Sequence, residues 1–451
     1  MKKITKKRSL ILYACSGLGV NMLNMIMGSY LCSALLVGGF EKNVENWTYL
    51  NTDLVIAKPF WGALTVWGLL IMISKIIDGI IDLPLSHFVD NIKSKFGKRK
   101  TGLVIGYIPM IITFFLFLFP LNSEATLLNT IWFAGLLMVY YAFYTLTMLT
   151  YYATFAEVTE KQEDVVLLSN TKSICDVVYF SLSFVLVPLF VSMNINIRYV
   201  AMIFMPLSLT MLIPMFMLKE NSNKQESPNP SAPRNTLIKS ISFTLQDRPY
   251  IFWLMILFAM NLGLQLFLSG INEFFSTMHL NMPFIMPACF APIPLTILLY
   301  NKILRKKGLG FSFRYVLLVF SAAMVLMAFC GVIPTQLQSM YAIMCGVMTS
   351  FSIGTFFAVT YSVPSQCAAN RIDGGEGASS MYFAVQGLFE GASAGLASGV
   401  VLVFLKQYKG GALVPYLTLI VAFFCMAAFC LTFKLPKIIS NIGMTSTKEV
   451  Q

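Results

Sequence analysis

Hydrophobic positions fall in long, nearly uninterrupted runs separated by short polar stretches. A run of about 20 apolar residues is long enough to cross roughly 30 Å of hydrocarbon as a helix. Twelve spans can be drawn, near 9–37, 58–90, 101–121, 129–156, 166–193, 197–217, 249–277, 282–301, 313–334, 337–364, 376–405 and 411–433. The pattern predicts an all-α polytopic membrane protein with twelve transmembrane helices. Twelve is even, so both termini are expected on one side.

The polar stretches carry the charge unevenly. The N-terminus, the loops near 93–100, 157–165, 218–248, 302–314 and 365–375, and the C-terminus hold twenty-five Lys and Arg; the opposite loops hold five, Lys42, Lys58, Arg198, Lys406 and Lys409. Basic residues collect on the cytoplasmic side. The first set is therefore expected in the cytoplasm, with the chain spanning a cell membrane.

The stretch "KENSNKQESPNPSAPRNTLIKS" (219–240) is rich in Ser, Asn and Pro, has no apolar periodicity and reads as a linker. It divides the chain into a six-span bundle at 1–217, a cytoplasmic linker at 218–248, a second bundle at 249–433 and a tail at 434–451. "KSKFGKRK" after span 2 has a counterpart, "NKILRKKGLG", about 210 residues later. Paired halves of this kind are typical of secondary transporters that rock around a central site.

Composition agrees. The chain has 451 residues, 57% of them hydrophobic and only 12% charged, about half the charge of a soluble protein. The net charge of +12 is a topology signal, so no nucleic-acid partner is expected. The lipid bilayer and a small-molecule substrate are, with the monomer as the functional unit. Nine cysteines lie singly and only two histidines, His87 and His279, are present; no metal framework or disulfide pattern emerges. There is no phosphate-binding loop and no haem or dinucleotide motif, so no cofactor and no enzymatic activity are expected. "MKKITKKRS" resembles a signal-peptide n-region, but the apolar run after it is too long and lacks a cleavage site.

An ionisable group inside a span costs several kcal/mol unless it is paired or lines a wet cavity. Lys75, Asp78, Asp82, Lys172, Asp176 and Glu390 are such groups, while Glu273 is placed near the outer end of span 7 and read as interfacial. Asp78 and Asp82 share one helix face and lie roughly 22 and 16 Å from the cytoplasmic surface. Adjacent carboxylates resist double ionisation, and a sodium ion or a proton between them removes that cost. The alternative is a local ion pair between Lys75 and Asp78. Asn261 and Gln265 form a second polar face on span 7. Asp90, followed by Gly97, Lys98 and Arg99, resembles the loop motif of the major facilitator superfamily. An acid there can face a helix N-terminus and act as a cytoplasmic gate; membrane anchoring by the basic residues is compatible with that role.

"DGIIDLP" with "SKFGKRK", "TYYATFAEVTEKQEDVVLLSNTK" (150–172) and "EGASAGLASG" (390–399) resemble the melibiose-permease branch, the glycoside–pentoside–hexuronide:cation symporters. The resemblance implies the major facilitator fold, two pseudo-symmetric six-helix bundles. It places the coupling cation, H+ or Na+, on Asp78, Asp82 and Thr145. Thr145 is twelve residues from Glu157, roughly 18 Å deep, matching Asp82. The family's asparagine before the second acid is Ile81 here, which removes one sodium ligand. The family's sugar-gripping acids fall near Asn24 and Met148, its stacking aromatic on Tyr152, its span 5 basic residue on Lys172, and its span 11 lysine on Glu390. Tyr144 completes the candidate substrate face with Asn261 and Gln265. Alternatives remain open: Lys172 attracting a uronate or neutralising Asp176, the tyrosines packing helices, and Glu390 carrying a proton or pairing a base. The function implied is cation-coupled symport of a small glycoside, sugar or hexuronide by alternating access. The rivals are a carrier of an amphiphile such as a lysolipid, and a non-transporting membrane sensor or enzyme.

Overall fold

The structure is a computed structural model, and it describes residues 4, 6–35, 54–56, 59–61, 64–92, 94–158, 162–218, 244–280, 282–370 and 378–442. The chain forms two compact units, Met1–Arg234 and Asn235–Gln451. Each is a bundle of long apolar helices. Nine stretches of the described residues are long and apolar enough to cross a bilayer, as an all-helical membrane fold requires of its backbone.

In the first unit α1 is Lys7–Leu31, α2 Val66–Asn91, α3 Lys98–Phe117, α4 Leu127–Val158, α5 Gln162–Ser192 and α6 Ile197–Met217. In the second, α7 is Arg248–Thr277. Helix α8 begins as Met282–Phe290 and resumes in the run Ile293–Ala328, which breaks at Gly308 and continues as α9. Then come α10 at Thr335–Asn370, α11 from Ala378 to Gln407 and α12 at Leu417–Thr432. The twelve predicted spans each receive a helix.

Span 2 begins later than the hydrophobic run suggests. Pro59–Trp61 pairs antiparallel with Leu64–Thr65, and α2 starts only at Val66. Thr65 sets that start, its side chain accepting from the Gly68 amide at 2.9 Å, as an N-cap residue does. Helices α1 and α11 are interrupted by π-helical turns, Met27–Leu31 and Leu396–Val401. On α3, Ile105, Ile108, Ile112 and Phe115 form an exposed stripe while Leu103, Met110, Phe114 and Phe117 are buried. Both faces are apolar, so hydropathy alone does not say which one meets lipid.

The two basic loops share a backbone device. Gly97 has φ 94° and ψ 149°, and Gly308 has φ 74° and ψ 172°. This region is open essentially to glycine alone, and it lets the chain leave one helix and enter the next within a few residues.

Candidate functional site

In the first unit α2 and α4 meet along two rungs. At one, the Lys75 ammonium lies 3.7 Å from the centroid of the Tyr141 ring. At the other, Thr145 donates to Asp78 Oδ1 at 2.7 Å. Lys75 and Asp78 are three apart on α2 and Tyr141 and Thr145 four apart on α4, so each pair occupies a single helix face. The structure thus brings together two of the three residues expected to hold a cation. Asp82 lies one turn further along α2; its side chain is outside the described residues. Tyr140 adds a buried hydroxyl with no hydrogen-bond partner among the described residues.

A polar network joins α1, α4 and α5. Tyr144 donates to Asn21 Oδ1 at 2.9 Å. The Asn21 amide donates to Asp176 Oδ1 at 3.4 Å. Asp176 pairs with Lys172 at 2.5 Å, and the Lys172 ammonium stands 4.7 Å from the centroid of Tyr152. Asn24, the residue singled out on span 1, lies one turn beyond Asn21; its Oδ1 is buried and has no hydrogen-bond partner among the described residues. Met148 is buried and packs against Gly17 of α1. Sequence reasoning did not include Asn21. Its spacing of three from Asn24 on an apolar helix was the available signal.

The second unit has a corresponding network between α7, α10 and α11. Asn261 donates to Ser393 Oγ at 2.7 Å and to the Glu390 carbonyl at 3.1 Å. Gln386 donates to Glu390 Oε1 at 2.9 Å and to the Thr360 carbonyl at 2.7 Å. It accepts from the Trp253 indole at 3.4 Å. Gln265 is half-buried one turn after Asn261. Asn21 and Asp176 stand on the first and fifth helices of their bundle, as Asn261 and Glu390 do in theirs. In each half an asparagine of the first helix donates to an acidic residue of the fifth, to the Asp176 carboxylate in the first unit and to the Glu390 backbone carbonyl in the second.

Of the gate residues, Lys98 opens α3 directly after Gly97, and Arg99 is buried. Asp90 is in the last turn of α2 with its side chain outside the described residues. Glu273 departs from expectation. It is not interfacial but fully buried, and it forms an ion pair at 2.7 Å with Lys406, whose side chain is 3% exposed. The pairing supplies the reason. Lys406 is not in an outer loop but near the end of α11, where it neutralises a carboxylate that hydrocarbon would otherwise exclude. Asn272 beside it is also fully buried, and neither polar atom of its side chain has a hydrogen-bond partner among the described residues.

Comparison with known proteins follows the same line. Residues 12–411 match the family model described as MFS/sugar transport protein. No curated protein matches the chain significantly. Among solved structures, the nucleoside transporter NupG aligns at 14% identity and TM-score 0.60, covering 95% of this chain and 99% of that one. A D-xylose–proton symporter aligns at 12% identity and TM-score 0.62, covering 97% and 99%. A POT family transporter in complex with 5-aminolevulinic acid aligns at 11% identity and TM-score 0.66, covering 95% and 97%. At such identities the likeness establishes the fold. With the family match running through both bundles, the chain belongs to the MFS/sugar transport protein family of major facilitator transporters.

Proposed function

We propose that the protein is a cation-coupled secondary transporter of the melibiose-permease type, moving a small polyhydroxylated solute by alternating access with both termini in the cytoplasm. The observation that carries this reading is the network Tyr144–Asn21–Asp176–Lys172 beside the unpartnered oxygen of Asn24. A buried acceptor left without a donor costs about 1–3 kcal/mol, and a solute hydroxyl relieves that cost. Tyr152 offers a ring on which a sugar face can stack. Asp176 cancels the charge of Lys172, which favours a neutral glycoside or sugar over a hexuronide. Asp78, held by Thr145 two turns from Tyr152 on α4, supplies the acid through which a cation is coupled. Solute and cation then raise each other's affinity reciprocally.

The test is counterflow of a panel of sugars, glycosides and uronides into proteoliposomes, followed by uptake under imposed proton or sodium gradients. Counterflow of a neutral sugar is expected, with accumulation lost in Asp78→Asn while counterflow persists. A protein that exchanges none of the panel, or an Asp78→Asn variant that still accumulates solute, refutes the reading.

A further inference from the structure

Lys75 has no place in the function just described, yet it stands three residues before Asp78 on the same face of α2. The ammonium rests on Tyr141, 3.7 Å from the ring centroid. Residues three apart on a helix have Cβ atoms about 5–6 Å apart. A lysine stem is four carbons long and freely rotatable, so a change of rotamer carries the ammonium from the ring to the carboxylate. Lys75 is a positive charge tethered at the acid.

Among the described residues, the oxygens of Asp78 and Thr145 are poorly arranged for sodium. A hard cation seated between Asp78 and Thr145 needs both as ligands at roughly 2.3–2.6 Å. Instead Thr145 spends its proton on the carboxylate at 2.7 Å, closer than two ligands at right angles around such an ion, about 3.4 Å by the same distances. Ile81, one turn after Asp78, brings no oxygen. Among the described residues, the other titratable groups acting on this pair are Tyr140 and Tyr141 from α4 and Cys32, just beyond α1. The first two bear on it as neutral phenols and the last as a thiol; the carboxylate of Asp82, four residues after Asp78 on α2, lies outside the described residues.

We propose that Lys75 is the resident counter-cation of Asp78 and takes the place that sodium would hold, so that sodium is not the coupling ion and gains entry only when the Lys75 charge is removed. The proposal rests on Asp78 as the coupling acid. Its test needs no solute, so it stands or falls separately from the transport reading. Unit charges about 6 Å apart at an effective dielectric near 20 repel by an amount equivalent to about a hundredfold in affinity.

The experiment is thermal unfolding of the purified full chain as sodium replaces choline at constant ionic strength. The wild-type midpoint is expected not to move. Lys75→Gln should unfold earlier in choline and recover as sodium is added, with sodium affinity about a hundredfold above that of wild type. Lys75→Arg, which keeps the charge, should stay indifferent to sodium. Lys75→Gln combined with Asp78→Asn should be stable in choline and equally indifferent. Sodium stabilisation of the wild type overturns the proposal, as does a folded Lys75→Gln that ignores sodium. A Lys75→Gln protein that cannot be recovered in either salt also overturns it, because sodium has then failed to replace the lysine. If the sodium titrations come out as expected and no solute exchanges, the transport reading alone is lost.

Discussion

Replacing Lys406 by Met tests whether the contact between α7 and α11 near the end of α11 is held by charge. Glu273 is fully buried and its partner nearly so, with the charged atoms 2.7 Å apart. At that distance and an effective dielectric near 20 the attraction is about 6 kcal/mol, part of which offsets the desolvation of the two ions. Removing the lysine keeps the desolvation cost of Glu273 and deletes its compensation, a loss of about 3–5 kcal/mol. For a unit the size of Asn235–Gln451 this corresponds to a fall of roughly 6–20 °C in midpoint, at about 2–4 °C per kcal/mol. A thiol-reactive dye reports the transition, since Cys289, Cys330, Cys345 and Cys425 of this unit are buried and become reactive on unfolding. The companion variant, Lys406→Met with Glu273→Met, removes both ions and should return to wild-type stability or exceed it. A Lys406→Met protein within about 1 kcal/mol of wild type, or a double variant no better than the single one, refutes the argument from buried charge.

Thr145→Val removes a hydrogen bond to a carboxylate at 2.7 Å and should cost about 1.5–3 kcal/mol in chemical denaturation, with Thr145→Ser restoring most of it; equal stability of Val and Ser variants counts against the bond. Gly308→Ala forces a side chain into φ 74°, ψ 172° and should cost about 1–3 kcal/mol, whereas Gly135→Ala, on the helical backbone of α4 with nothing within 4 Å of the added Cβ, should cost nothing in the same denaturation series. Cys15 and Cys175 bring their sulfurs to 3.2 Å across α1 and α5, so copper-phenanthroline oxidation should link these two thiols first. Peptide mass spectrometry reads the linkage, Cys15→Ser should abolish it, and preferential pairing of either cysteine elsewhere contradicts the packing of α5 on α1.

The candidate site was partly legible because depth in a membrane can be counted along a helix. Counting depth matches Thr145 to Asp82, and the structure has it meet Asp78, one turn away on the same face of α2, at 2.7 Å. Asn261 and Glu390 were each flagged as polar groups in apolar spans, and they meet through the Glu390 carbonyl. Asn21 and Asp176 were not joined in advance. Nothing in a single helix says which neighbour its polar edge faces.

The helical spans and the ionisable residues within apolar runs were present in the amino-acid order. These properties are fixed by transfer free energy along one axis, the membrane normal, and a window of residues samples that axis directly. Rotation about the normal is different. In a bundle whose inner and outer faces are both apolar, as on α3, hydropathy does not vary around the helix enough to fix its orientation. The π turns of α1 and α11 alter the helical phase part-way along, since an i→i+5 turn takes up more residues than an α turn. A face extrapolated from Glu390 at the α-helical period therefore does not predict where Lys406 points. Only tertiary packing, setting α11 against α7 with that altered phase, decided that Lys406 reaches Glu273 and that Asp176 is bound from α1 by Asn21.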